Sequence, residues 1–198
     1  MANKVTIGTF FPKDLNLNGD QANLLVLKKR LEARGVSCEI EALNMSFNPK
    51  KYSMIFIGHG SMAAWDSITE TYPEIFSDLK DAMKQGVFVF AVASGYDRIN
   101  NSIGLNEQIK EVSNSHRSEF IETDGYVGYL NSSSKLDPLV HNKSGLFTLL
   151  HGPLLAKNPD LADAIISQLK WADVSAKNAE LEFLDELAKQ SRRTAFEH

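Results

Sequence analysis

One cysteine, six prolines and no apolar run of membrane-spanning length set the first limits on this 198-residue chain. Cys38 has no second thiol to pair with, so nothing argues for an oxidising compartment and the chain reads as cytoplasmic. Met1 to Phe10 lacks a basic flank followed by a long apolar stretch, so no targeting segment is expected there, nor any membrane span. A basic excess is also missing: Lys+Arg 21 stand against Asp+Glu 25, a net charge of −4, which excludes nucleic acid as a partner of choice. The chain carries no internal repeat and no Pro/Gly/Ser linker, and Ser132 to Ser134 is short enough for a surface turn. With 43% apolar residues it holds enough for one continuous core, so residues 1–198 are expected to form a single domain.

What is present is an alternation of strand and helix signals. Lys4 to Phe10 is a short β-branched and apolar run, followed by a long loop and by Asp20 in the position of an N-cap. The next helix has Leu24, Leu25, Leu27 and Leu31 as its apolar face, with Lys28, Lys29 and Arg30 toward solvent, and stops at Gly35. Val36 to Leu43 alternates like a half-buried strand, and Met54 to Ile57 is a third strand. Tyr72 to Gln85 is a helix with Ile75, Phe76, Leu79 and Met83 on one face, closed by Gly86. Val87 to Val92 is apolar throughout, as a mid-sheet parallel strand requires, and a short helix follows near Tyr96 to Asn101.

Farther on, Glu119 to Leu130 reads as a hairpin turning at Asp124-Gly125, and Leu146 to Leu150 as another strand. Two helices finish the chain, one capped at Asn158 with Pro159 at its first position and apolar Leu161, Ile165, Ile166 and Leu169. The other runs from about Val174 to Gln190, after which the last residues are expected to fray. Repeated βα units imply right-handed crossovers and a flavodoxin-like α/β fold: an open, mostly parallel sheet with helices on both faces.

Ligands of such sheets bind beyond the carboxyl ends of the strands. Those ends carry Gly58-His59-Gly60, Ala93-Ser94-Gly95 and His151-Gly152. Val87 to Tyr96 runs from a buried strand through a small-residue turn into a helix, the layout of a nucleophile elbow, whose backbone N–H groups can stabilise an oxyanion.

Several runs resemble class I glutamine amidotransferases of the cobyric-acid-synthase type, which serve cobalamin or peptidoglycan synthesis, and in particular the glutaminase subunits of lipid II isoglutaminyl synthases. Leu15-Asn16, Gly19-Asp20 and Asn23 are similar to their L-N-x-x-G-D-x-x-N pattern, and Phe56 to Gly60 to F-I-G-G-G. Ala91-Val92-Ala93-Ser94-Gly95-Tyr96 resembles A-V-C-G-G-Y, and Leu150 to Leu155 with Lys157-Asn158-Pro159 resembles L-H-G-P-L-L-x-K-N-P, the most specific match.

The resemblance implies a cysteine thiolate attacking the side-chain amide of glutamine, a histidine assisting proton transfer, and ammonia passing to a Mur-ligase-like synthetase subunit. It places His151 on the histidine and Ala93 on the cysteine. A methyl group cannot attack an amide, so Ala93 marks a vacated nucleophile position. His59 stands where the family has glycine, Ser61-Met62 where it has Gln-Asp, and the stretch from Leu130 to Gly145 is shorter than in the family.

Two readings stay open. One is a silent amidotransferase-like protein that binds glutamine or a small amide, or serves a ligase as a subunit, with Gly58, His59, Gly60, Gly95 and Tyr96 lining its pocket. The other is an active glutaminase or amidohydrolase using Ser94 as alternative nucleophile with His151. No cofactor is called for. His59 and His151 lack a nearby set of Cys, Asp or Glu, so no metal is expected. Cys38 reads as a small core residue. Trp65 and the Leu154-Leu155 pair fit either a core or a partner surface.

Overall fold

The computed structural model describes residues 4–105, 116–169 and 178–196. Strands β1 (Lys4–Phe10), β2 (Ser37–Leu43), β3 (Met54–Ile57), β4 (Phe88–Val92), β7 (Leu139–Asn142) and β8 (Gly145–Thr148) form one sheet in the order β2-β1-β3-β4-β8-β7. All its pairings are parallel except that of the edge strand β7 with β8. β3 and β4 are buried at every residue, which explains their unbroken apolar sequence, and β4 lies mid-sheet as expected.

From β1 the chain moves outward to β2, and from β3 it moves the other way to β4. Right-handed crossovers therefore put helix α1 (Ala22–Glu32) on one face and α3 (Ile75–Lys84) on the other. α1 packs with α5 (Leu154–Lys157) and α6 (Pro159–Gln168), and α7 (Ala179–Phe196) joins that layer; α3 packs with α4 (Ser94–Ile103). The reversal of direction between β1 and β3 is the switch point where a ligand crevice opens in open α/β sheets.

The expected hairpin is β5 (His116–Thr123) with β6 (Tyr126–Ser132), turning at Asp124 (φ 50°) and Gly125 (φ 80°). Two successive positive φ values are what a two-residue Asp-Gly hairpin loop demands. The expected strand Leu146 to Leu150 divides. β8 ends at Thr148, and β9 (Leu150–His151) leaves the main sheet to pair with β6, building a second sheet in the order β5-β6-β9. That switch carries His151 away from the main sheet and places it opposite Tyr129.

Several expectations need correction. Arg30 is buried rather than solvated, at 3% exposure, because its guanidinium bonds Asp163 (2.6 and 2.8 Å) and Asp185 (2.7 Å) and so ties α1 to α6 and α7. Leu25, counted on the apolar face, is 61% exposed. The helix before α3, α2 (Met62–Thr71), was not foreseen, nor was β7. α2 is capped by the Ser61 hydroxyl, which accepts from Ala64 N (3.1 Å). Asn158 precedes α6 as expected, but its side chain bridges Val127 and Leu154 instead of capping. The last helix continues to Phe196 rather than fraying after Gln190; its expected start at Val174 lies outside the described residues. Trp65, Leu154 and Leu155 are buried core.

Candidate functional site

The turn after β4 holds Ala93 at φ 48° and ψ −112°, a conformation that a side chain rarely adopts. Such a backbone costs on the order of 1–3 kcal/mol and survives only where its surroundings fix it. They do so here: Ala93 N extends the β4–β8 ladder to Thr148 O (2.7 Å), and Asp97 N bonds Ala93 O to start α4 (2.9 Å). Gly95 is needed in the next turn, since a Cβ there would lie 2.8 Å from Ile57 Cγ2 and 3.0 Å from Gly58 O. The elbow predicted from the sequence is thus present, with a methyl group at its tip.

Ser94 follows the tip, and its hydroxyl is fully engaged. It accepts from Gly60 N (2.9 Å) and from Trp65 Nε1 (2.8 Å), and lies 3.0 Å from both Gly60 O and His59 Nδ1. The N–H of Ser94 also points at His59 Nδ1 (3.3 Å), which makes that nitrogen an acceptor and assigns the His59 proton to Nε2. One hydroxyl proton and two lone pairs have no capacity left for a substrate. In this structure the Ser94 hydroxyl is bonded to His59 rather than His151, and it fastens the β3 turn to the start of α4.

His151 is 8% exposed and satisfied on both sides. Its Nδ1 accepts from Asn18 Nδ2 (2.5 Å), and its Nε2 meets Asn131 O (3.2 Å), which assigns the proton to Nε2. The two imidazoles come together, with ring centroids 4.9 Å apart and planes at 77°. His59 thus lies directly beside His151.

Asp20 holds this arrangement. Rather than capping α1, which begins behind Gln21 without a side-chain cap, its buried carboxylate accepts His59 N (Oδ2, 3.0 Å) and Gly152 N (Oδ1, 2.9 Å). Asn23 backs it, donating to Asp20 O and Gly152 O and accepting from Leu155 N (2.9–3.0 Å). The loops after β1, β3 and β9 are thereby joined by two side chains, Asp20 and Asn23. Gly58 is required by the same packing, because a Cβ there would meet Leu15 O at 2.1 Å.

Burial sets the electrostatics. It pushes the Asp20 carboxyl above its ordinary value, against the pull of its two amide bonds. Burial likewise raises Asp97, which accepts from Ser134 Oγ (2.6 Å), so the surface turn at Ser132 to Ser134, closed by Ser134 N on Ser132 Oγ (3.0 Å), is tied to α4. His59 is lowered by burial first and by the neighbouring His151 second. Cys38 is a buried thiol raised to about 11 by burial, far from the thiolate range needed for attack.

A cavity of about 310 Å³ opens beside His151, lined by Asn18, Tyr129, Asn131, His151, Gly152 and Pro153. Gly58, His59, Gly60, Gly95 and Tyr96, expected to line the pocket, are not among its walls; the glycines and Tyr96 are buried packing residues. Lys157 sits over the Tyr129 ring (5.5 Å) at this end of the molecule. Asn18, Tyr129 and Asn131 were missed by sequence reasoning, though Asn18 lies in the loop after β1, where a sheet of this order places its ligand. Among the described residues no group of three His, Cys, Asp or Glu is placed to hold a metal ion. No described helix is long and apolar enough to cross a membrane.

No protein-family model matches the chain. It is 23% identical over 206 aligned positions, 83% of this chain and 84% of the relative, to the lipid II isoglutaminyl synthase (glutamine-hydrolyzing) subunit GatD of Staphylococcus aureus. Among solved structures it is similar to a two-domain protein of Anabaena variabilis with DJ-1/ThiJ/PfpI-like and ferritin-like domains (TM-score 0.51, 14% identity). That match takes in 93% of this chain but only 57% of the two-domain protein. A Vibrio parahaemolyticus protein provisionally assigned as a transcriptional regulator matches over 96% of this chain and 100% of its own (TM-score 0.54, 12% identity). The fold is thus the flavodoxin-like one, and the sequence is glutamine-amidotransferase-like.

Proposed function

We propose that the chain is a catalytically silent glutamine-amidotransferase-like protein of the cobyric-acid-synthase type, a single-domain cytoplasmic binding or ligase-associated subunit. The observation that carries this reading is the strained elbow with Ala93 at its tip. A protein that keeps that backbone without a nucleophile has lost the thiolate on which amide attack depends. In a well-studied hydrolase, removing the nucleophile lowers turnover by about a million-fold, so what remains is recognition.

Three further features support it. Ser94 is held by four polar groups and has no role to spare. His151 has both nitrogens engaged by Asn18 and Asn131. The cavity beside it is lined by the carboxamides of Asn18 and Asn131, suited to glutamine or another small amide. The Staphylococcus aureus relative is by its name one subunit of a synthase, which makes a Mur-ligase-like synthetase the partner to try.

The test is ammonia release from glutamine by the purified protein, alone and with such a synthetase. No release above the buffer rate is expected in either case. Release that His151→Ala abolishes would overturn the proposal.

A further inference from the structure

We infer that helix α7 is a self-association surface: it pairs with α7 of a second copy of this chain, antiparallel about a two-fold axis passing between Leu187 and Ala188.

α7 has eighteen residues, a rod of about 27 Å. One side is committed to the protein: Leu181 and Ala188 are buried, and Asp185 bonds Arg30. The other side is not. Phe183 is 62% exposed and Leu187 45%, one turn apart, and Leu25 across the layer is 61% exposed. Beside them lies a groove of about 360 Å³ whose walls include Leu25, Val26, Leu155, Leu184 and Leu187. An apolar groove with an exposed phenylalanine one helical turn from its Leu187 wall is the makeup of a contact surface.

The charges say which occupant fits. Glu182, Glu186, Lys189 and Arg193 follow one another at intervals of four, three and four residues, which aligns them on one flank of the helix. The first pair is acidic and the second basic. A two-fold axis at the midpoint sets Glu182 against Arg193 of the second copy and Glu186 against Lys189 of the second copy. The same operation puts Leu184 opposite Ser191, which also lines the groove, and brings Phe183 to the groove of the other molecule. A closed, isologous dimer requires this self-complementarity, and an unrelated partner does not. A parallel arrangement would not bring these opposite charges together. Within one chain Glu186 and Lys189 already meet at 2.5 Å, both largely exposed, so exchanging them between copies costs little. The charges fix orientation, and Phe183 in the groove supplies affinity. The pairing is independent of whether the Ala93 elbow binds a ligand.

Sedimentation equilibrium of the full chain tests it. The expected result is a concentration-dependent species of twice the chain mass, and Phe183→Glu, at an exposed position, should weaken it by about tenfold or more. Glu182→Lys/Glu186→Lys and Lys189→Glu/Arg193→Glu should each weaken self-association, while an equal mixture of the two should form a mixed dimer. Overturning results are a chain that stays at single mass up to its solubility limit, a dimer indifferent to Phe183→Glu, or a mixture of the charge variants that fails to pair.

Discussion

Asp20 Oδ2 accepts the backbone N–H of His59 at 3.0 Å, and the second oxygen of the same carboxylate takes the N–H of Gly152. One side chain from the loop after β1 therefore sets the spacing between the two histidine-bearing loops. Asp20→Asn would keep the shape but turn an NH₂ donor toward a backbone N–H. A loss of about 2–3 kcal/mol in urea unfolding is expected. A change under about 0.5 kcal/mol would show that the clamp does not depend on two acceptor oxygens.

Ser94→Ala would leave Gly60 N and Trp65 Nε1 without their acceptor. Stability should fall by about 1–3 kcal/mol, and any trace of amide hydrolysis should be unchanged. Hydrolysis that disappears with the hydroxyl would restore Ser94 as a nucleophile.

Ala93→Cys would put a thiol at the strained tip, as little exposed as Cys38 (3% against 6%) but at the N-terminus of α4, which favours the thiolate, whereas burial raises Cys38 to about 11. Iodoacetamide should modify residue 93 well before Cys38, read by peptide mass spectrometry. Glutamine hydrolysis should still be absent in this variant and emerge only when His59→Gly also clears the space beside His151. Full activity in the single variant would mean that His59 does not obstruct the site.

Protonation of His59 opposes folding. Its folded value lies below the ordinary 6.5, so the unfolded chain binds the proton more readily. Stability is then fully present above 6.5 and is lost as pH falls toward the folded value, at no more than about 1.4 kcal/mol per pH unit for one proton. Asp20 and Asp97, raised from 3.8, act in the other sense at lower pH: their contribution is full below 3.8 and is lost as pH rises through the folded values. His141, also lowered by burial, adds to the His59 trend. Unfolding free energies of wild type and His59→Gln between about pH 5 and pH 7.5, a window that brackets a histidine's ordinary value, should show a shallower slope in the variant. Equal slopes would remove His59 from the account.

The amino-acid sequence by itself determined the parallel sheet and its elbow. Strands such as Phe88–Val92 are apolar at every position because both faces are covered, and the Asp124-Gly125 hairpin is specified by two residues that tolerate positive φ. Both are local signals, written in consecutive residues. That an alanine stands at the tip of the elbow was legible for the same reason. Only the tertiary structure decided what the polar residues do. Asp20 and Arg30 sit where a cap and a solvated flank are expected, yet each finds partners more than thirty residues away, His59 and Gly152 for one, Asp163 and Asp185 for the other. A buried charge goes to whatever donors or acceptors the fold brings to it, and no spacing along the chain encodes that distance. His151 took its neighbours, Asn18 and Asn131, by the same rule, once β9 left the main sheet for the second one.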